Sequence, residues 1–143
     1  MPYSTDSDLY ARLSESQVQR LTDEEGTGQV DAQLVARLRQ EQTDYIDAWL
    51  RGRHDLPLPE PVPPLLSSLE VSLLAARLYS RRPNVETPEG VETERKAAVR
   101  DLKDIAKGKI DLGIEEPEGD GSGGDSYRSR SEPATLSEKL RRY

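Results

Sequence analysis

From residue 64 to residue 80 the chain runs Pro64-Leu65-Leu66-Ser67-Ser68-Leu69-Glu70-Val71-Ser72-Leu73-Leu74-Ala75-Ala76-Arg77-Leu78-Tyr79-Ser80. Wound into a helix, Leu65, Leu66, Leu69, Val71, Leu73, Leu74, Ala75, Ala76, Leu78 and Tyr79 cover most of its circumference. A helix apolar on nearly all sides is stable only when other helices enclose it. This segment is therefore predicted to be the central helix of a bundle, and the remaining sequence has to supply its neighbours.

It does so on both sides. Thr5 precedes Asp8 by three residues and Ser14 precedes Gln17 by three, the spacing of a capping box, in which two side chains satisfy each other's free backbone N–H groups. Two short helices are expected, roughly 6–13 and 15–21, burying Leu9, Leu13, Val18 and Leu21, with Tyr10 at the edge. A turn with Gly26 and Gly28 follows, and Asp31 then caps a long helix. In it Leu34, Val35, Leu38, Tyr45, Ile46, Trp49 and Leu50 recur at spacings of three and four, interrupted by Gln42, and Gly52 stands just past the last turn. Five prolines between residues 57 and 64 forbid a helix until the last of them begin the central one. After Pro83 and Pro88, Thr87 is expected to cap a helix reaching about Lys107, with Val91, Ala98, Val99, Leu102, Ile105 and Ala106 inward and Gly108 as its stop. Acids crowd its first turns and bases its later ones, as the helix dipole favours.

Beyond residue 114 the composition changes. Residues 115–125 hold five acids, no bases and almost nothing to bury, which predicts a flexible acidic Gly/Ser linker. Thr135 and Glu138 then have the spacing of a capping box, and Leu136, Leu140 and Tyr143 fall at i, i+4 and i+7, beside the basic Lys139, Arg141 and Arg142. So short a helix does not sustain itself in water and needs a surface to lie on. The expectation is an all-α chain in three parts: a bundle of about five helices over 1–113, a linker over 114–134 and a docking helix over 135–143. About twenty linker residues span roughly 25 Å as a coil and about 70 Å when extended, enough to reach a neighbouring subunit.

Composition narrows the chemistry. There is no Cys and one His, so thiol catalysis, disulfides and Cys-based zinc sites are excluded, and an enzyme is not expected. His54 beside Asp55 opens a proline loop with no marked nucleophile nearby, which favours a surface or loop-anchoring role. Asp23, Glu25, Gly28, Val30 and Asp31 resemble a calcium loop, but its fifth position is Thr27 and its twelfth, where the bidentate Glu belongs, is Leu34, so no metal is expected. No stretch approaches the eighteen apolar residues of a membrane span, and the N-terminus lacks the basic and apolar regions of a signal peptide. A soluble protein made in the cytoplasm is expected, with no membrane partner.

The 27 acids and 20 bases give a net charge of -7, unevenly spread: the first fifty residues are acidic, with ten acids and four bases. The basic run from residue 95 to 109 lies on a helix with acids interspersed, which suits a solvated face or one side of a subunit contact.

Several segments together resemble a known family. They are Tyr3-Ser4-Thr5-Asp6-Ser7-Asp8-Leu9, Gln19-Arg20-Leu21-Thr22-Asp23, the glycine turn ending in Val30-Asp31, Asp44-Tyr45-Ile46-Asp47-Ala48-Trp49-Leu50, Leu56-Pro57-Leu58-Pro59 with Val62-Pro63-Pro64-Leu65-Leu66, and residues 101–110. In this order and spacing, over about residues 3–114, the chain resembles the Mu-like tailed-phage head-to-tail connector family. The resemblance implies a small helical adaptor without catalytic residues or cofactor, forming a ring, typically twelvefold, between the portal protein and the tail or tail-terminator protein in the neck of the virion. It also implies a C-terminal extension that reaches the portal, a role open to Leu136, Lys139, Leu140, Arg141, Arg142 and Tyr143.

Within such a ring the acids Asp23, Glu24 and Glu25 of one copy are expected to meet Arg95, Lys96, Arg100, Lys103, Lys107 and Lys109 of the next, a heterologous contact that closes by rotation. Acids facing the channel would let DNA pass without sequence-specific binding. The alternative expectation, from another functional class, is an acidic DNA-mimicking or regulatory protein that occupies a nucleic-acid-binding partner.

Overall fold

A computed structural model describes residues 1–114, which form five helices in the order α1 Asp6–Arg12, α2 Glu15–Thr22, α3 Ala32–Leu50, α4 Pro64–Ser80 and α5 Glu89–Ala106. The all-α bundle expected from the sequence is present. Of the linker expected over 114–134 only Ile114 is described, and it packs on the bundle; the rest of it and the docking helix expected over 135–143 lie outside the described residues.

α1 and α2 begin with the expected reciprocal caps: Asp8 N–H donates to Thr5 Oγ1 at 3.2 Å while Thr5 N–H donates to Asp8 Oδ2 at 2.9 Å, and Ser14 and Gln17 repeat the exchange at 3.2 and 3.0 Å. α3 is capped by Asp31, whose carboxylate accepts from Leu34 N–H at 3.1 Å. α4 starts on Pro64 at its first position, where the missing N–H costs nothing.

Two ends differ from expectation. Pro88, not Thr87, is the N-cap of α5: with φ -59° and ψ 145° its carbonyl accepts from Val91 and Glu92 N–H, and no side chain caps the helix. α3 ends without a left-handed glycine at Gly52, because Arg53 and His54 N–H both fold back onto Leu50 O at 2.9 Å. His54 is buried at the start of the proline loop, not on the surface, while Asp55 stays exposed. Gly108 does take the left-handed turn, at φ 80°, and Lys109 and Ile110 N–H return to Asp104 O.

α4 touches all four other helices, which is what its all-round apolar surface requires. Its two ends serve two hydrophobic clusters. One joins Leu9, Leu13, Val18 and Leu21 of the short helices and their connection to Leu34, Val35 and Leu38 of α3 and to Leu74, Leu78 and Tyr79 of α4. The other joins Ile46 and Leu50 to Leu66, Leu69 and Leu73 and to Ala98, Leu102 and Ile105 of α5, with Ile110, Leu112 and Ile114 packed on it. The start of α3 thus meets the end of α4, so these two helices run antiparallel. No described helix is long and apolar enough to cross a membrane.

Candidate functional site

The acids of the α2–α3 turn are largely committed to their own fold. The Asp23 carboxylate accepts from Thr27 N–H at 2.8 Å, Gly28 N–H at 2.6 Å and the Thr27 hydroxyl at 3.1 Å, a ring of donors closed by Gly28 at φ 82°. Those donors, first the N–H of Thr27 and then that of Gly28, hold its pKa below the usual carboxylate range. The resemblance to a calcium loop has this local cause: the spacing of Asp and Gly builds a turn around one carboxylate. Glu24 pairs with Arg81 of α4. Glu25 is exposed and makes no hydrogen bond or ion pair among the described residues.

On α5 the expected bases divide in the same way. Arg95 forks onto Glu92, Nη2 to Oε2 at 2.7 Å and Nε to both oxygens at 3.2 Å, and this bond chiefly lowers the Glu92 pKa. Lys96, Arg100, Lys103 and Lys107 are exposed and follow one another at spacings of four, three and four, so they form a single row along the helix. Ala98, Leu102 and Ile105 are buried on the opposite side. None of the four makes a hydrogen bond or ion pair among the described residues, and Lys109 lies exposed just beyond the Gly108 turn.

Beside this row a groove of about 460 Å³ runs between α3, α4 and α5. Leu73, Ala76 and Val99 supply apolar lining, the Glu41 to Arg77 pair (3.3 Å) and the Glu92 to Arg95 pair supply charge, and Tyr45 stands in its wall. Tyr45 is 40% exposed and meets Trp49 edge to face, with ring centres 6.3 Å apart.

The third polar feature escaped sequence reasoning. Glu70 is fully buried in the middle of α4, between the two hydrophobic clusters. Its carboxylate accepts from Tyr3 N–H (3.1 Å), Ser4 N–H (2.9 Å), the Ser4 hydroxyl (2.6 Å) and the Thr43 hydroxyl (2.6 Å). Arg39, also buried, donates from Nε to the Ser4 hydroxyl at 3.2 Å and from Nη1 to Asp6 at 2.8 Å. Tyr3 donates its hydroxyl to Asp47 of α3. Residues 3–6 are therefore a strap tied to α3 and α4, and this gives Tyr3-Ser4-Thr5-Asp6 its physical meaning: each residue meets a specific polar partner, Thr5 through its cap.

A signal for this network was present. Glu70 lies four residues from both Leu66 and Leu74, on a buried face, and Arg39 and Thr43 follow Val35 at the same interval. The polar residues that interrupt the α3 stripe are these two; Gln42 is only half-buried and turns its amide back toward Leu38 O at 3.4 Å.

Leu136, Lys139, Leu140, Arg141, Arg142 and Tyr143 lie outside the described residues. No curated protein matches the chain. The family described as Bacteriophage Mu, Gp36 matches residues 3–130, a span that takes in all five helices and the strap that ties them. With most of its length matched, the chain belongs to the phage Mu Gp36 family.

Proposed function

We propose that this protein is a structural subunit of a tailed-phage virion: a head-to-tail connector that assembles as a ring, twelvefold, between the portal and the tail or tail-terminator protein, with DNA passing through its channel. The observation that carries this reading is the family match over residues 3–130, which makes the chain a phage protein. The physical features fit a part that works by position. Buried Ser4, Arg39, Thr43 and Glu70 are tied to one another, and the outward row of Lys96, Arg100, Lys103 and Lys107 offers charge to a neighbour.

In this reading the row takes one side of a heterologous contact between copies, and Glu25 is the acid of the α2–α3 turn left to contribute to the other. Residues 135–143 supply the portal contact as an amphipathic segment laid into a groove. The protein needs no cofactor and performs no catalysis. The DNA-mimicking alternative draws less support, since Asp8, Asp23, Asp31 and Glu70 turn their carboxylates onto their own chain and do not offer them to a partner.

The test is co-purification with the portal protein of the same phage, using the full chain and a chain ending at residue 134. Retention of the full chain and loss of the shortened one is the expected outcome. Failure of the full chain to bind would overturn the reading.

A further inference from the structure

The acids that the sequence intersperses among the bases of α5 do not stand in the basic row. Asp101 and Asp104 are half-buried and pair with none of Lys96, Arg100, Lys103 and Lys107, which extend about 16 Å along one exposed face. Like charges so placed repel one another, and an anionic partner relieves that repulsion. The proposed contact between copies offers them one free acid, Glu25, since Asp23 closes its own turn and Glu24 pairs with Arg81. One acid against four cations leaves most of the row unmatched.

The surroundings of the row decide which polyanion fits it. Protein interfaces bury an apolar centre and are depleted in lysine. Three of these four cations are lysines, and Ala98, Leu102 and Ile105 of the same helix are buried on the opposite side, so a protein partner finds charge here and little area to bury. A phosphodiester backbone needs no such area, because Lys and Arg bind it by displacing the counterions condensed on its closely spaced phosphates. Laid along a duplex, a row of about 16 Å runs past roughly five phosphates of one strand, enough for every cation to meet an anion. The net charge of -7 weakens long-range attraction, but salt at 0.1 M screens it beyond about 10 Å, and over residues 95–109 six bases stand against two acids.

We propose that the Lys96, Arg100, Lys103 and Lys107 face of α5 binds the phosphate backbone of duplex DNA without regard to sequence. The contact reaches phosphates and no base edges, so it holds a duplex in place along the helix while leaving it free to slide. It needs neither a ring nor a portal, and stands or falls independently of the portal binding that tests the connector reading.

The test is fluorescence anisotropy of a short labelled duplex titrated with the full chain over a series of NaCl concentrations. The logarithm of the binding constant is expected to fall linearly with the logarithm of salt, with a slope of about -3.6 for four phosphate contacts. Lys103→Gln and Lys107→Gln, made singly, are expected to reduce that slope by about 0.9 each, equally on a duplex of unrelated sequence. Arg37→Gln, at an exposed position on α3, is expected to leave it unchanged, with circular dichroism confirming the same helix content in all variants. No binding at low salt, a slope that the row variants leave unaltered, or one that Arg37→Gln reduces as much overturns the proposal. Tighter binding to a single strand of the same length, or equal displacement by polyglutamate at the same charge concentration, assigns the row to a different anion and overturns it as well.

Discussion

Ser4 gives both its backbone N–H and its hydroxyl to the same carboxylate oxygen of Glu70, at 2.9 and 2.6 Å, across 66 residues of sequence. The hydroxyl also accepts from Arg39 Nε, so a buried anion and a buried cation are joined through one serine. In a medium of low polarity such a network is strong when complete and costly when one member is removed. Glu70→Ala leaves the Tyr3 and Ser4 N–H groups and the buried Arg39 without their anion, while the Thr43 hydroxyl keeps the Arg39 carbonyl at 3.1 Å, and a loss of about 3–5 kcal/mol is expected. Ser4→Ala removes only the hydroxyl, and about 1–2 kcal/mol is expected. Urea denaturation of the two variants checks the order.

The same strap fixes the response to alkali. Burial, and then the bond to the Asp47 carboxylate, push the Tyr3 hydroxyl well above its ordinary 10.0. A raised pKa means the folded state holds the proton more tightly, so this contribution is complete below about pH 10 and is lost as pH climbs beyond it. On the acid side Asp8, held down mainly by Thr5 N–H, Asp23 and Glu92 have lowered pKa values. Their contribution is present above the ordinary carboxylate pKa of about 4 and is lost as pH falls below it. Melting temperature against pH is expected to show a plateau with a decline on each side, and Tyr3→Phe should flatten the alkaline decline alone.

How far these features were legible in the sequence follows from the range of the forces involved. Caps at Thr5, Ser14 and Asp31 depend on residues three apart, and all three hold in the structure. The central position of α4 followed from its own apolar surface. Glu70 was passed over because its partners Tyr3, Ser4 and Thr43 are 67, 66 and 27 residues away, and only the fold brings them together. The acids and bases of the proposed subunit contact were readable as charges but not as commitments: nothing in the local pattern shows that Glu24 is taken by Arg81 or that Asp23 closes its own turn.

Gly108 tests the end of α5. At φ 80° a β-carbon is strained, and one placed there would also meet the Arg53 guanidinium carbon at 2.8 Å. Gly108→Ala is expected to cost about 1–2 kcal/mol, chiefly from the backbone, since the long Arg53 side chain can shift. Thermal unfolding of Gly108→Ala beside Gly90→Ala, at a helical position with open space around it, separates the two effects.

Asp23 offers a test of chemistry against architecture. Because its oxygens already accept from Thr27 and Gly28, millimolar calcium should leave the melting temperature unchanged, while Asp23→Ala should lower it. A calcium titration showing micromolar binding would contradict this assignment of the turn.

Apolar packing around α4 is expected to dominate stability. Leu74 is fully buried where α4 meets the short helices and α3. Leu74→Ala should cost about 2–5 kcal/mol by guanidinium unfolding, while Tyr45→Ala, at an exposed groove position, should cost much less.

The most direct measurement for the connector role is electron microscopy of the portal protein mixed with the full chain. The expected image is a ring of copies, twelvefold, on the tail-facing side of the portal, with an open channel on its axis. A portal that remains bare at saturating protein, or one on which the chain sits as isolated copies off the axis, would contradict it.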